Sequence, residues 1–255
     1  PYADLCGSAV GRLMDGFEYE GYYAHRRAGL VQEEPFSELV TNEATVPLIV
    51  QLLGHNLHIT NTALIYKHPQ TASETETVNW HRDVGLSLDL GHRDLPRVGL
   101  KVGYCLTDFT RPESGATLFS RGSNNFHEPL ALRPGALHPD DYVEVSMKPG
   151  DAFIFESRTY HAPGLNCQRD TAKVVIYGYH YSWIKRDHYL HHYDSRPQPD
   201  PELTARLDDI GRQLLGATCD TRGGEDPNGI EWPLREWAQE NGLPQQYPHT
   251  VEHAD

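Results

Sequence analysis

The sequence has few cysteines, a deficit of basic residues and no long apolar run. Its 4 Cys show no Cys-x-x-Cys spacing, which argues against a disulfide framework or a zinc site and favours a reducing, cytoplasmic location. With 22 Lys and Arg against 36 Asp and Glu, the formal net charge is −14, which repels phosphate backbones and anionic bilayers. The longest apolar stretch, residues 46–53, is too short to span a membrane. We therefore expect neither nucleic acid nor a membrane as a partner.

The composition instead fits one large folded domain. Hydrophobic residues make up 38% and aromatic residues 10% of the 255 residues, which is enough to bury a substantial core. The sequence predicts a single domain over residues 1–255 with a helical region at 1–56, a β core at 57–184 and a helical extension at 185–255. Helices are predicted over residues 36–43, 44–54, 201–216 and 234–242, from apolar spacing and terminal Gly residues.

Short alternating runs of apolar and polar residues fill the predicted β core. Most are bounded by Gly, Pro, Asp or Asn, a pattern typical of a β-sandwich or jelly roll. The predicted strands cover residues 57–60, 62–66, 84–88, 98–106, 116–119, 142–147, 152–155 and 173–181. The predicted fold class is mainly β: a jelly roll with N- and C-terminal helices packed outside it.

The motif His-x-Asp occurs five times, where composition alone predicts about one. Four of these pairs lie in terminal, His-rich or turn-like segments and begin at His92, His138, His192 and His253. The fifth, His81 with Asp83, lies beside strand-like segments, where metal ligands are held on rigid elements. Context therefore favours His81 and Asp83 as a functional pair.

A distant histidine completes a metal-binding set. His161 follows the strand-like run 152–155, and Greek-key connections in a sandwich return a later strand beside an earlier one. Two imidazoles and one carboxylate occupy one face of an octahedral metal and leave positions for a chelating co-substrate and dioxygen. We predict that His81, Asp83 and His161 bind Fe(II). Taken alone, His161 is equally compatible with a core histidine bonded to a backbone carbonyl.

The order and spacing of several sequence boxes resemble the phytanoyl-CoA dioxygenase-like family over about residues 40–184. The boxes are residues 52–54, 79–83, 106–123, 148–151 and 160–166. The resemblance implies a double-stranded β-helix that uses Fe(II), 2-oxoglutarate and O2, with His81, Asp83 and His161 as the iron ligands. The chain departs from the family where Ser114, Arg121 and Asn124 replace Asn, Pro and His.

The resemblance also implies a cation that holds the far carboxylate of 2-oxoglutarate. In the family an arginine serves, commonly about eleven residues after the distal histidine, where this chain has Ala172. Strand position favours Lys173 as its replacement, and side-chain chemistry favours Arg169. Tyr104 and Thr117, which match family positions near the co-substrate, are further candidates.

The resemblance implies that 2-oxoglutarate is decarboxylated oxidatively while hydrogen is removed from a substrate. Halogenating relatives replace the Asp83 carboxylate with a small residue, so its presence favours hydroxylation; desaturation, ring closure, epoxidation and epimerisation stay open. The predicted substrate is a small organic metabolite, by analogy an intermediate of natural-product biosynthesis. Asn79 and Trp80 are candidate substrate contacts, and Trp80 is equally compatible with the core.

Two alternatives remain beside this prediction. The first is an iron-dependent oxygenase or isomerase that does not use 2-oxoglutarate, motivated by the alanine in place of the family arginine at residue 172. The second is a non-catalytic, cupin-like metal-binding protein.

Overall fold

The computed structural model describes residues 2–71, 77–83, 95–184, 201–216 and 233–243. The predicted strand at 84–88 and the pairs that begin at His92, His192 and His253 lie outside these ranges. Six α-helices are described: α1 Tyr2–Met14, α2 Glu34–Ser37, α3 Val46–Leu53, α4 Pro201–Arg206, α5 Asp209–Leu214 and α6 Pro233–Glu240. Short 3-10 helices cover Leu30–Gln32, Glu38–Thr41 and Ser123–Asn125.

Eight strands are described: β1 Tyr23–Arg26, β2 Leu57–Lys67, β3 Gly99–Cys105, β4 Thr117–Ser120, β5 Tyr142–Glu144, β6 Ala152–Glu156, β7 His161–Pro163 and β8 Ala172–Tyr181. They form a five-stranded sheet in the order β1-β2-β8-β3-β6 and a three-stranded sheet in the order β5-β4-β7. All the pairings are antiparallel. The fold is mainly β and of the jelly-roll type, as the sequence predicts.

Several predicted boundaries differ from the structure: the strand predicted at 142–147 ends at Glu144, and β7 lies outside every predicted strand. The helical region 1–56 also contains β1, a four-residue strand that pairs with the end of β2. The two runs 57–60 and 62–66 form one strand, because a register shift between Ile59 and Asn61 keeps both halves paired to β8. The helix predicted at 201–216 is broken in two, where the Asp208 side chain accepts a hydrogen bond from the Gly211 amide (2.7 Å) and caps α5.

The two faces of the large sheet have different neighbours. On β8, Val174 and Ile176 belong to an apolar cluster with residues of β2, β3 and the segment before β4. The alternate residues Val175, Tyr177 and Tyr179 belong to the main core, together with buried residues of the helices. The parity of a residue on this sheet therefore decides whether its side chain points towards the helices or away from them.

Helices from both ends of the chain share one core. Leu203 of α4, Leu214 of α5 and Leu234 of α6 are fully buried in the same cluster as residues of α1 and α3. In the described part of the chain, no helix has the length and apolarity that crossing a membrane requires. The buried hydroxyl of Tyr177 donates a hydrogen bond to the carbonyl of Phe36 and so connects β8 to α2.

Replacement of Tyr177 by Phe should destabilise the fold. The Phe36 carbonyl then loses the tyrosine donor and keeps only the Glu38 amide, at a cost of about 0.5–1.5 kcal/mol in the free energy of unfolding, which urea denaturation measures. The same replacement at Tyr142, which is 40% exposed, should change stability by less than about 0.5 kcal/mol. Equal unfolding midpoints for the two variants would show that the buried hydrogen bond does not contribute.

Candidate metal centre

Backbone hydrogen bonds hold the segment that carries His81 and Asp83 against β7. The His81 amide donates to the His161 carbonyl and the His161 amide donates to the His81 carbonyl, both at 3.0 Å. The Asp83 amide donates to the carbonyl of Ser157 (2.9 Å). Between them, the Arg82 guanidinium donates to the Ser123 carbonyl (2.5 Å). The three predicted ligands are therefore held in place by two neighbouring stretches of backbone.

The side chains of His81, Asp83 and His161 converge. Their ligating atoms all lie within 4.8 Å of one another. Asp83 Oδ2 is 3.2 Å from His161 Nε2, and Asp83 Oδ1 is 3.7 Å from His81 Nε2. His161 is buried, whereas His81 is the most accessible of the three. The structure brings the three residues together although 78 positions of sequence separate Asp83 from His161.

Both histidine rings are set in the form that binds a metal. His81 Nδ1 donates to the Asn79 carbonyl, and His161 Nδ1 donates to the Thr159 carbonyl, each at 3.0 Å. With the proton on Nδ1, the lone pair of each Nε2 is directed at the centre of the group. Burial, together with the neighbouring His161 ring, lowers the pKa of His81 and favours its neutral form.

Asp83 is kept ionised by its neighbours. Burial acts to raise its pKa, but the charge of Lys101 and the contact with His161 hold that pKa well below the usual range. Lys101 Nζ lies 2.7 Å from Asp83 Oδ2, and both side chains are only 15% exposed. Two neutral imidazoles and one carboxylate with three remaining coordination positions suit Fe(II), so the donor set fits the metal.

The other described His-x-Asp pair has a different environment. His138 stacks on Tyr142 with ring centroids 4.5 Å apart. Asp140 is exposed and forms an ion pair with Arg133 (2.5 Å). Neither residue belongs to a group of metal-binding side chains within the described ranges.

The three converging side chains line a cavity of about 520 Å³ between the sheets. Its wall includes Thr117 of β4 and Ile176 of β8, and its inner part contains the buried Lys67 of β2. The exposed residues Glu20 and Tyr22 lie on its outer part. This volume is in the range of sites for small molecules.

The other predicted residues fall into two groups. Thr117 and Asn79 line the cavity. Tyr104 instead faces the helices, where its hydroxyl is 2.8 Å from Thr45 Oγ1. Lys173 has the parity of Val175 on β8, and its ammonium lies over the Tyr66 ring at 5.7 Å from the centroid. Arg169 is exposed in the turn before β8, and neither Arg169 nor Lys173 lines the cavity.

Trp80 lies beside the metal-binding group but is not among the cavity-lining residues. Its indole Nε1 donates to the carbonyl of Leu137 (3.1 Å), and its ring meets His138 edge to face. Trp80 thus fixes the segment before His81.

Sequence reasoning missed Lys67 and Lys101, two lysines that line the cavity. Each stands in a strand rich in apolar residues, after Ile65-Tyr66 and between Leu100 and Val102 respectively. A lysine at an inward position of such a strand needs a specific partner, because burying its charge is costly. That position is the signal that could have identified both residues.

The sequence profile of the phytanoyl-CoA dioxygenase (PhyH) family matches residues 14–172, which is more than half of the chain. The chain therefore belongs to the phytanoyl-CoA dioxygenase family of non-haem iron enzymes. Like other members of the family, the protein uses Fe(II) as its cofactor, 2-oxoglutarate as its co-substrate and O2 as its oxidant. A comparison with curated protein sequences gives no match.

Solved structures of similar proteins share the fold. HygX from Streptomyces hygroscopicus, solved with nickel and 2-oxoglutarate bound, is 14% identical; the match covers 84% of this chain and 90% of HygX, with a TM-score of 0.58. The epimerase SnoN, solved with Fe3+, alpha ketoglutarate and nogalamycin RO, is 19% identical over 71% of this chain and 74% of SnoN, with a TM-score of 0.50. At such identities the similarity establishes the fold alone.

Loss of one proposed ligand should abolish tight metal binding. We expect Asp83→Ala and His161→Ala to weaken Ni(II) or anaerobic Fe(II) binding by at least about 100-fold in calorimetry, since even changes outside the ligand set cost about 10- to 100-fold. His138→Ala, which alters another His-x-Asp pair, should bind metal like the unaltered protein. Wild-type affinity in Asp83→Ala would place the metal elsewhere.

Proposed function

We propose that His81, Asp83 and His161 bind Fe(II) and that the protein is a 2-oxoglutarate-dependent dioxygenase that oxidises a small organic metabolite. The observation that carries the proposal is the convergence of three ligating atoms within 4.8 Å on the wall of a cavity large enough for a small molecule. Family membership supplies the co-substrate.

The chain's own residues prepare the site for this chemistry. The Asn79 and Thr159 carbonyls hold the Nδ1 protons, which leaves each Nε2 ready to bind the metal. Lys101 keeps Asp83 ionised. Bound Fe(II) would supply the oxidising chemistry of a hydroxylation, whose balance places one atom of O2 in succinate and the other in the product hydroxyl, with release of CO2. Oxidation of 2-oxoglutarate and of one C–H bond provides the four electrons that reduce O2.

We propose a polar substrate of the natural-product type. The outer part of the cavity carries hydrogen-bonding groups rather than an apolar tunnel, among them Glu20, Tyr22 and Arg27, with Asn61 and Asn79 further along its wall. HygX has been solved with hygromycin B bound and SnoN with nogalamycin RO, which fits a family with such substrates. Hydroxylation is our leading reaction, since Asp83 occupies the position where a halide would bind.

We also propose that the chain functions as one domain in the cytoplasm. The shared core of the terminal helices and the large sheet supports a single unit. The sparse cysteines, without paired spacing, suit a reducing compartment.

The proposed reaction should form succinate. Protein loaded with Fe(II) is incubated with ascorbate, 2-oxoglutarate, O2 and a library of polar natural products. Succinate is then measured by mass spectrometry. We expect a slow background rate of succinate formation that rises with the correct substrate and is lost in Asp83→Ala.

The mass of the product identifies the reaction. A gain of one oxygen atom indicates hydroxylation, loss of two hydrogens indicates desaturation or ring closure, and an unchanged mass indicates epimerisation. If product forms without 2-oxoglutarate and no succinate appears, the proposal is wrong, and the protein is an oxygenase or isomerase that does not use 2-oxoglutarate.

A further inference from the structure

Lys67 is a buried lysine whose amine has a single hydrogen-bond partner among the residues described. Its side chain lines the cavity although the residue is only 2% exposed. Its ammonium donates a hydrogen bond to the carbonyl of Gly115. Among the residues described, it forms no other hydrogen bond and no ion pair with a carboxylate, so two of its three N–H groups have no partner there. An ammonium buried in this way is costly unless an anionic ligand accepts its remaining hydrogen bonds.

The strand register places Lys67 where the family carries its arginine. Ala172, eleven residues after His161, is the direct partner of Lys67 in the antiparallel pairing of β2 with β8. Directly opposed side chains lie on the same face of a sheet with Cβ atoms about 4.5–5.5 Å apart. A lysine at 67 therefore brings its charge into the region that an arginine at 172 would reach.

The position of Lys67 along the small sheet also suits a chelated diacid. On β4, Phe119 is level with His161, and Thr117 is level with Pro163. Gly115, whose carbonyl binds the Lys67 ammonium, lies two residues further in the same direction. Thr117, which lines the cavity, stands between the metal-binding end and the lysine. A dicarboxylate that extends from the metal along β4 would meet the Thr117 hydroxyl and then Lys67.

The other cationic residues are less suitable as partners of the carboxylate that is remote from the metal. Lys101 is bound to Asp83, so it belongs to the metal end of the cavity. Lys101 is opposite Gly178 of β8, which is opposite Asn61, so the end of β2 nearer to the metal ligands is at Asn61. Arg27 follows Arg26, which is opposite Leu64, and is therefore nearer to that end of β2 than Lys67 is. Arg169 and Lys173 lie outside the cavity.

We infer that Lys67 binds the carboxylate of 2-oxoglutarate that is remote from the metal, so that β2 supplies the cation that family members carry on β8. The inference rests on the proposed use of 2-oxoglutarate at the His81, Asp83 and His161 centre. It replaces Arg169 and Lys173, which the sequence suggested for this role.

Direct binding of the co-substrate tests the inference without turnover. Affinity is measured by calorimetry on Ni(II)-loaded protein with 2-oxoglutarate and with 2-oxopentanoate, which has a methyl group in place of the far carboxylate. We expect Lys67→Met to weaken 2-oxoglutarate binding by about 10- to 150-fold, the range for a hydrogen bond to a charged group, and to leave 2-oxopentanoate binding nearly unchanged. Lys148→Met, which removes an exposed lysine, should bind both compounds normally.

A double variant that moves the cation from β2 to β8 provides a complementary test. Lys67→Ala combined with Ala172→Arg removes the cation from β2 and restores the arginine at the family position, in the space that the lysine leaves. We expect this double variant to recover most of the lost 2-oxoglutarate affinity, whereas Lys67→Ala alone does not. Ni(II) affinity without co-substrate, measured for every variant, checks that the fold and the metal site are intact.

The outcomes separate the possible failures. If Lys67→Met binds 2-oxoglutarate as tightly as the unaltered protein, or if Arg169→Met or Lys173→Met loses that affinity instead, the inference is wrong while the proposed function stands. An equal loss for 2-oxopentanoate would likewise overturn it, because the effect would not involve the far carboxylate. If the unaltered metal-loaded protein binds no 2-oxoglutarate, the proposed function itself fails.

Binding of 2-oxoglutarate should also take up a proton. Burial lowers the pKa of Lys67 to about 7, and Glu144 on β5 acts in the opposite direction. Tyr23, its partner on β1, is kept neutral because burial raises its pKa to about 12, and β8 presents only Ala172. Above pH 7 we therefore expect the neutral form of Lys67 to predominate, and a bound carboxylate should restore its charge.

Calorimetry in buffers of different ionisation enthalpy measures this proton. We expect an uptake approaching one proton at pH 8, less below pH 7, and an affinity that falls as pH rises above 7. Lys67→Arg, whose guanidinium stays charged, should bind without this uptake. The same uptake in Lys67→Met would assign the proton to another group.

Discussion

The reciprocal pair of backbone hydrogen bonds between His81 and His161 is the constraint on which the site depends. It joins a segment without regular secondary structure to the short strand β7, and it places the two imidazoles and the nearby Asp83 on one centre. Because each Nδ1 is also bound to a backbone carbonyl two residues earlier, the rings have little rotational freedom. A metal site made in this way is largely preorganised by main-chain geometry, and side chains such as Lys101 adjust only its charge.

The sequence predicts those parts of the structure that depend on local pattern. Strand-like alternation locates most strands of both sheets, and context selects His81 and Asp83 from five equivalent motifs, because ligands must stand beside regular elements. It does not locate β1, whose four residues Tyr23–Arg26 are too short to show a period and become a strand only by pairing with the end of β2. The break between α4 and α5 follows from the cap at Asp208, a local signal that an apolar spacing over the whole segment obscures.

The position of the co-substrate cation could not be predicted in the same way. Alternation shows that Lys173 and Val175 share one face of β8 and that Ala172 and Val174 share the other, but it does not show which face borders the cavity. Tyr104 illustrates the same limit, since it lies on β3 with the wrong parity and binds Thr45 on the helical side. Lys67 is a neighbour of Ala172 only across the sheet. The sequence of a single strand does not show which residue of the neighbouring strand lies opposite each position.

This difference between the metal ligands and the cation has a physical cause. Metal–ligand distances tolerate only a few tenths of an ångström, so residues proposed as ligands, here His81, Asp83 and His161, are tightly constrained in identity and position. An ammonium on a flexible four-carbon stem reaches a carboxylate from several backbone positions. Two directly opposed positions of an antiparallel pair are close enough that either one can carry the cationic residue. The exchange gives up the two-point contact of an arginine but introduces a group whose charge responds to its surroundings. In a chain of net charge −14, a buried lysine of the proposed kind would confine positive potential to the cavity, where a small dianion would be accepted.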